Sequence, residues 1–245
     1  TVWYGRQEWY TRHCHQFCLF PPDCQHGDFW WERPAGCVYS VVFCSLDIIM
    51  KLVYSENDTL LTDETGFHQV MMAWEKPYME ACIDKLNPYG SVLEIGYGLG
   101  FSAERICSFP GVTDYTVIEC SPVVWEKIEE FKKRHTNINI NLVKGRWQDV
   151  LCTCGIFDCI FFDDYCPEQN VDRFNPFFIE CLDNHSNIGS KISCYSTNQR
   201  KYTTSCIVSD DYEYYINIPE NCKYASGNIM YIQVFTKVST DIKFL

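Results

Sequence analysis

The segment Ser91-Val92-Leu93-Glu94-Ile95-Gly96-Tyr97-Gly98-Leu99-Gly100 constrains this chain more than any other. A short apolar run passes into alternating glycines, and an amphipathic stretch from Phe101 to Phe109 follows. That order reads as a buried strand, a tight turn and a helix. Glycines in such a turn let backbone approach a ligand closely, and the helix N-terminus behind them offers free N–H groups. The same string also serves nicotinamide or flavin enzymes, or forms a plain tight turn.

From residue 91 onward, short apolar strands alternate with amphipathic helices. Strands are expected at 91–95, 115–119, 138–143, 157–162 and 192–195, with helices at 101–109, 122–134 and 173–182. Residues 214–218 and 229–238 read as a closing antiparallel pair. This is the α/β pattern of a Rossmann-like fold, a mainly parallel seven-stranded sheet with helices on both faces. Ser121 suits an N-cap and Pro122 the first helical position, while Lys132, Lys133 and Arg134 collect at the C-terminal end, where the dipole favours them. A helical period is expected over 67–86. Residues 1–60, rich in aromatics and cysteine, read as an N-terminal extension packing over the sheet as a lid, with 61–245 as the main domain.

Three further features bear on the loop. Glu94 lies in the strand just before it. Glu119 closes the second strand about twenty residues on, where a carboxylate can accept both ribose hydroxyl hydrogens. Trp147 and Gln148, in Gly145 to Asp149 after the third strand, flank an adenine-sized crevice. Taken singly, Glu119 reads as a solvated strand end and Trp147 as a core aromatic; their order along the sheet favours a cofactor site. Phe101 stands where the dinucleotide G-x-G-x-x-G pattern wants its third glycine. A bulky residue there suits a ligand without a pyrophosphate, and methyl transfer fits better than hydride transfer.

Two segments bear on the second substrate. Met71, Glu75 and Met79 are spaced to share one helix face, with a kink at Pro77; the alternative makes the methionines core filler and Glu75 a rim carboxylate. Asp163, Asp164 and Tyr165 end the fourth strand, and open α/β sheets bind ligands outside the carboxyl ends of their strands. Asp164 is expected to be a solvated neighbour of Asp163.

With Met71-x-x-Trp74-Glu75-x-Pro77-Tyr78-Met79, Val117-Ile118-Glu119-Cys120, Lys144-Gly145-x-Trp147-x-Asp149-Val150 and Asp163-x-Tyr165, the chain resembles the guanidinoacetate N-methyltransferases and related arginine N-methyltransferases. Pro219-x-x-Cys222-Lys223-Tyr224 is a fainter echo. The resemblance covers residues 67–167 well and the rest thinly. It implies S-adenosylmethionine as cofactor, contacted by Met71, Met79, Gly96, Tyr97, Gly98, Leu99, Gly100, Phe101, Ser102, Glu119, Cys120, Ser121, Trp147, Gln148 and Asp163. It also implies a substrate guanidinium held by Glu75 and Asp163, with Tyr165 nearby. Two carboxylates can grip planar N–H pairs in a bidentate manner, and a guanidinium is too basic to be deprotonated beforehand. Asp163 is therefore expected to accept the proton as the nitrogen attacks the methyl group. The Lys-Pro-Gly-Gly turn usual in the family is replaced by Asn187-Ile188-Gly189-Ser190. The residues that would grip a carboxylate tail, near Tyr195 to Asn198, do not align cleanly. The acceptor therefore stays open between a guanidinoacetate-like molecule, free arginine and protein arginine, and a silent fold that binds a partner is a third reading.

A formal net charge of −12 argues against a nucleic-acid partner and suits a small cationic substrate. There is no apolar run long enough to span a bilayer, and the first residues are not built like a signal peptide. Many of the sixteen cysteines sit in apolar runs as small hydrophobes, so a reduced, cytoplasmic protein is expected. Cys14, Cys18, Cys24 and His26 could ligate zinc, although the spacing matches no common finger and free thiols are favoured; no metal is expected. The oligomeric state is not legible.

Overall fold

The computed structural model describes residues 50–54, 59–63, 69–165, 172–202 and 204–241, all within the compact unit Val42–Leu245. Most of the expected extension, including Cys14, Cys18, Cys24 and His26, lies outside the described residues.

Strands β1 (Met50–Tyr54), β2 (Thr59–Asp63) and β3 (Gln69–Met72) form a small antiparallel sheet. After a 3-10 turn, Ala73–Glu75, come α1 (Lys76–Leu86), β4 (Gly90–Ile95), α2 (Phe101–Cys107), β5 (Val112–Glu119), α3 (Pro122–Arg134) and β6 (Asn139–Lys144). The chain continues through α4 (Trp147–Val150), β7 (Phe157–Phe162), α5 (Phe174–Asn184), β8 (Ser186–Cys194), β9 (Ile207–Tyr215) and β10 (Ile229–Lys237). The main sheet has seven strands in the order β6-β5-β4-β7-β8-β10-β9. Only β10 runs antiparallel to its neighbours there, as the closing pair implied.

Alternate residues of each strand face opposite sides, so adjacent apolar residues feed different cores. Val92, Val117, Phe161 and Ile232 pack with Tyr78, Ile83, Ile106 and Phe131 of α1 to α3. Leu93, Ile118, Ile160 and Phe235 pack on the other face with Phe174, Phe177 and Phe178 of α5. Order reverses beside β4: the chain builds β5 and β6 to one side and then returns to β7 on the other. Ligands of open α/β sheets bind outside the strand ends at such a switch point.

The helical period expected over 67–86 holds only from Lys76. Val70, Met71 and Met72 instead belong to β3, where pairing with β2 satisfies their backbone. Pro77 lies in the first turn of α1, where its missing N–H costs nothing, so it starts the helix without kinking it. Met71, Glu75 and Met79 therefore sit on a strand, a 3-10 turn and a helix, not on one helix face. Among the described residues no helix is long and apolar enough to cross a membrane, and no group of His, Cys, Asp or Glu is arranged to hold a metal ion.

Candidate active site

Three strand ends are tied together where the glycine loop begins. Gly96 donates its N–H to Ile118 O and Asp163 donates to Ile95 O, both at 2.9 Å. Gly96 has φ +80°, and a Cβ there would collide with the carbonyl oxygen of Asp163. Gly98 has φ +52°, with the Met71 sulfur 2.8 Å from where its Cβ would be. Both positions need glycine for conformation and for space. The Met71 sulfur also accepts the Leu99 N–H at 3.2 Å, which holds β3 against the loop. Gly100 caps α2, where Glu104 donates to its carbonyl at 3.0 Å, and Phe101 and Ser102 open that helix.

Glu94 lies fully buried beneath this loop and accepts from the hydroxyls of Ser102 and Tyr115. Burial pushes its carboxyl up to about 7, against the pull of those two hydroxyls. It links α2 to β5. Glu119, at the end of β5, accepts the N–H groups of Tyr97 at 3.0 Å and Ser121 at 2.7 Å. Burial raises this carboxyl too, and the amides hold it down in part. An ionised carboxylate has about four acceptor positions, so lone pairs remain for a diol. Ser121 has the extended backbone of an N-cap, but its hydroxyl makes no cap bond and is buried without a partner. The capping bond expected of that side chain is absent. Tyr97 turns its ring into the core edge-on to Phe131, and Met79 is fully buried in the same core. Cys120 is exposed as a residue, and partial desolvation with the nearby charges of Glu119 and Asp164 pushes its thiol up to about 12.

Trp147 packs edge-on against Phe162 and Phe177, and its indole N–H donates to Asp164 Oδ2 at 2.7 Å. Arg173 pairs with the same oxygen at 2.6 Å, and Gln148 is exposed beside Arg173. Asp164 is therefore the largely buried partner of an arginine and an indole, not a solvated neighbour; burial pushes it up to about 6 against their pull. The reason is tertiary: α5 brings Arg173 back over the end of β7. Tyr165 contributes its carbonyl to Arg173 at 3.2 Å.

Glu75 is buried beside the same strand ends. Its Oε1 accepts from the Met72 N–H at 2.7 Å and the Tyr224 hydroxyl at 2.5 Å. Burial pushes it up to about 7, opposed by Tyr224, the Met72 amide and Tyr195. Asp163 is raised well above the usual carboxylate range by burial and by the charges of Glu75, Glu94, Asp164 and Glu119. A cavity is lined by Phe162, Asp163, Asp164, Arg173, Phe174, Tyr195 and Arg200. The structure thus joins Glu75 and Asp163 electrostatically and brings in Tyr195, Arg200 and Tyr224, which sequence spacing did not single out. Of these, Tyr224 lay in the Cys222-Lys223-Tyr224 echo, and Tyr195 opened the segment, Tyr195 to Asn198, that did not align cleanly with the residues gripping a carboxylate tail.

The fold is shared with spermidine synthase from Thermotoga maritima (TM-score 0.52, 14% identity, 79% of this chain and 74% of that one). It is also shared with yhhF from Escherichia coli (TM-score 0.50, 13% identity, 66% and 84%). Protein arginine N-methyltransferase 2 of Cryptococcus neoformans var. neoformans serotype D (strain B-3501A) is 35% identical over 100 residues, 34% of this chain. The match spans only 26% of that relative's length. The family model described as guanidinoacetate N-methyltransferase matches residues 45–195, more than half of the chain. That span contains the glycine loop, Glu75, Glu119 and Asp163, and the chain belongs to the guanidinoacetate N-methyltransferase family.

Proposed function

We propose that this enzyme methylates a guanidino nitrogen of a small, guanidinoacetate-like acceptor. The observation that carries this reading is the placement of Asp163 on the cavity wall at the switch point, with the buried Glu75 near enough to raise it, and no hydrogen-bonded cation on either carboxylate among the described residues. Clustered buried acids are costly to ionise, and a cationic occupant relieves that cost. A guanidinium meets the need with N–H pairs in one plane. Arg200, on the wall of the cavity with Asp163 and paired with Asp172 at 3.2 Å, can take the acceptor's carboxylate in exchange for that partner.

The donor half of the site suits S-adenosylmethionine. Gly96 and Gly98 leave no side chain between the loop and a ligand, Glu119 takes the ribose hydroxyls, and the orphaned Ser121 hydroxyl lies two residues beyond it. In the proposed assignment Met71, Met79, Glu94, Tyr97, Leu99, Gly100, Phe101, Ser102, Cys120, Trp147 and Gln148 line or support that half. When bound, the cofactor supplies a methyl group on a sulfonium, electrophilic without further activation. Glu75 orients the guanidinium so that one nitrogen faces the donor side. Asp163 accepts the proton lost by that nitrogen, and its raised pKa makes it a better base than an ordinary carboxylate. Holding nitrogen, methyl and sulfur in line is a positioning task, for which effective molarities run to about 10⁵ M or more.

A second reading, transfer to arginine or to protein arginine, draws on the similarity to protein arginine N-methyltransferase 2. A panel of guanidinoacetate, free arginine and arginine peptides with labelled methyl donor separates the two. Turnover on guanidinoacetate that disappears in Glu75→Gln and Asp163→Asn is the expected result. Turnover on peptides alone overturns the small-molecule reading, and no turnover on any guanidine overturns both.

A further inference from the structure

Tyr195 follows β8 and lines the cavity that contains Asp163. Its hydroxyl oxygen is shut away from solvent and makes no hydrogen bond of normal geometry. Everything else about the residue is fixed. Its N–H donates to Phe162 O at 3.0 Å, and its ring stands edge-on to Tyr78 at 5.6 Å. The next residue, Ser196, donates its N–H to the Tyr78 hydroxyl at 3.0 Å and accepts from the Tyr231 N–H at 3.1 Å. A buried hydroxyl without a partner costs about 1–3 kcal/mol, and native proteins keep few of them. A rigid donor with no well-formed bond, on the cavity wall with Asp163 and close enough to Glu75 to lower its carboxyl, has a ready use: the carboxylates must be ionised when a cation enters, and an ionised carboxylate seeks donors.

We propose that Tyr195 is a positioning residue for the acceptor, its hydroxyl donating to Glu75 once a cationic guanidino group lies between Glu75 and Asp163. The inference rests on the guanidino reading above. On Glu75, Oε1 already carries two donors, the Met72 amide and the Tyr224 hydroxyl. A third donor from Tyr195 favours the ionised form and limits rotation of the carboxylate, leaving the remaining lone pairs for the acceptor. The other titratable and charged groups around this pair are Tyr224 and Cys222 before β10, Asp163 and Asp164 after β7, Arg173 before α5, Arg200 after β8, Tyr78 and Cys82 on α1, and Glu94 and Glu119 on β4 and β5. Burial beside Glu75 and Asp163 keeps the Tyr195 phenol protonated, hence a donor.

The test is Tyr195→Phe, which keeps the ring against Tyr78 and removes only the hydroxyl. Guanidinoacetate binding is titrated by calorimetry with S-adenosylhomocysteine present, and kinetics are followed from about pH 6 to about pH 9. The expected result is acceptor affinity weakened about tenfold or more at neutral pH, as for a lost hydrogen bond to a charged group. The acidic limb of kcat should move to higher pH, because in the acceptor complex the ionised form of Glu75 has lost a donor. S-adenosylhomocysteine affinity and Tm should not fall, since no hydrogen bond of the free protein is removed. Equal guanidinoacetate affinity and an unmoved pH profile in the variant overturn the role of Tyr195 and leave the guanidino reading standing. Failure of guanidinoacetate, arginine and arginine peptides alike to bind the unaltered enzyme overturns that reading, and this inference with it. A variant that loses affinity only in proportion to a lower Tm shows a structural role and also overturns the proposal.

Discussion

The hydroxyl of Tyr224 donates to Glu75 Oε1 at 2.5 Å, joining the segment before β10 to the turn before α1 across 149 residues of sequence. Gln69 fastens the same segment, donating to Asn221 O at 2.8 Å and accepting the Lys223 N–H at 2.6 Å. The Tyr224 ring stacks on Trp74 at 6.2 Å. Glu75 is thus aimed by a loop that no local spacing connects to it. Tyr224→Phe should raise KM for the acceptor by about five- to tenfold with a smaller change in kcat, the size expected for one hydrogen bond. Steady-state kinetics check this; an unchanged KM means Glu75 is held by the Met72 amide alone.

Glu75 must be ionised to hold a cation, and its carboxyl lies at about 7. We expect kcat/KM for the acceptor to rise with pH through that region, since the protonated form cannot pair with a guanidinium. Glu75→Gln should lower kcat/KM by about a hundredfold or more and move the limb to lower pH, because Asp163, which must also ionise, loses a neighbouring charge. A pH–rate profile of both enzymes decides it, and an identical limb in the variant would assign the titration to another group.

Gly96 ties the glycine loop to the end of β7, because the space beside it is filled by the Asp163 carbonyl. Gly96→Ala meets backbone there and is also strained by its φ of +80°, at a cost of about 1–3 kcal/mol from conformation alone. Calorimetry should show at least tenfold weaker S-adenosylhomocysteine binding together with a lower Tm. Retained affinity in the variant would mean the two loops move independently.

Glu94 gives a stability prediction whose sign follows from its raised carboxyl. The folded protein keeps a proton on it up to about 7, whereas the unfolded chain releases that proton near 4.5. Its favourable contribution is therefore complete below the lower value and is lost as pH rises through the upper one. Glu94→Gln can still bond Ser102 and Tyr115 and has no charge to desolvate. The variant should gain Tm relative to the unaltered protein between about pH 5 and about pH 8, as thermal melts will show. A difference that does not change with pH contradicts this.

Arg173 and Asp164 are an ion pair at 2.6 Å with side chains 21% and 14% exposed. Arg173→Met leaves a buried carboxylate without its cation, which costs about 3 kcal/mol when a buried pair is broken. Arg173→Met combined with Asp164→Asn should recover part of that loss in chemical denaturation, because the stranded charge is gone. Additive losses in the double variant would mean the pair is already screened by solvent.

The order of elements was legible because it depends on local pattern. The strand ending at Ile95, the glycine turn, the acid at Glu119 and the Pro122 helix start all follow from apolar periodicity and backbone rules, and the structure has them within a few residues. The stretch from Val70 to Met79 misled for the same reason: apolar spacing that satisfies a helix also satisfies a short strand, and pairing with β2 chose the strand. Asp164 was misjudged because its partner, Arg173, is contributed by the next helix.

By itself, then, the sequence determined the parallel α/β framework and the glycine loop, and its family resemblance singled out Glu75 and Asp163 as the acids proposed to hold the acceptor. Periodicity, positive-φ glycines and side-chain chemistry are properties of neighbouring residues. Only the tertiary structure decided what surrounds those acids: Tyr224 on Glu75, Arg173 on Asp164, Tyr195 and Arg200 on the cavity wall. These contacts set burial and hydrogen bonding, and hence the charge states of the site, and they depend on how distant strand ends and loops meet at the switch point of the sheet.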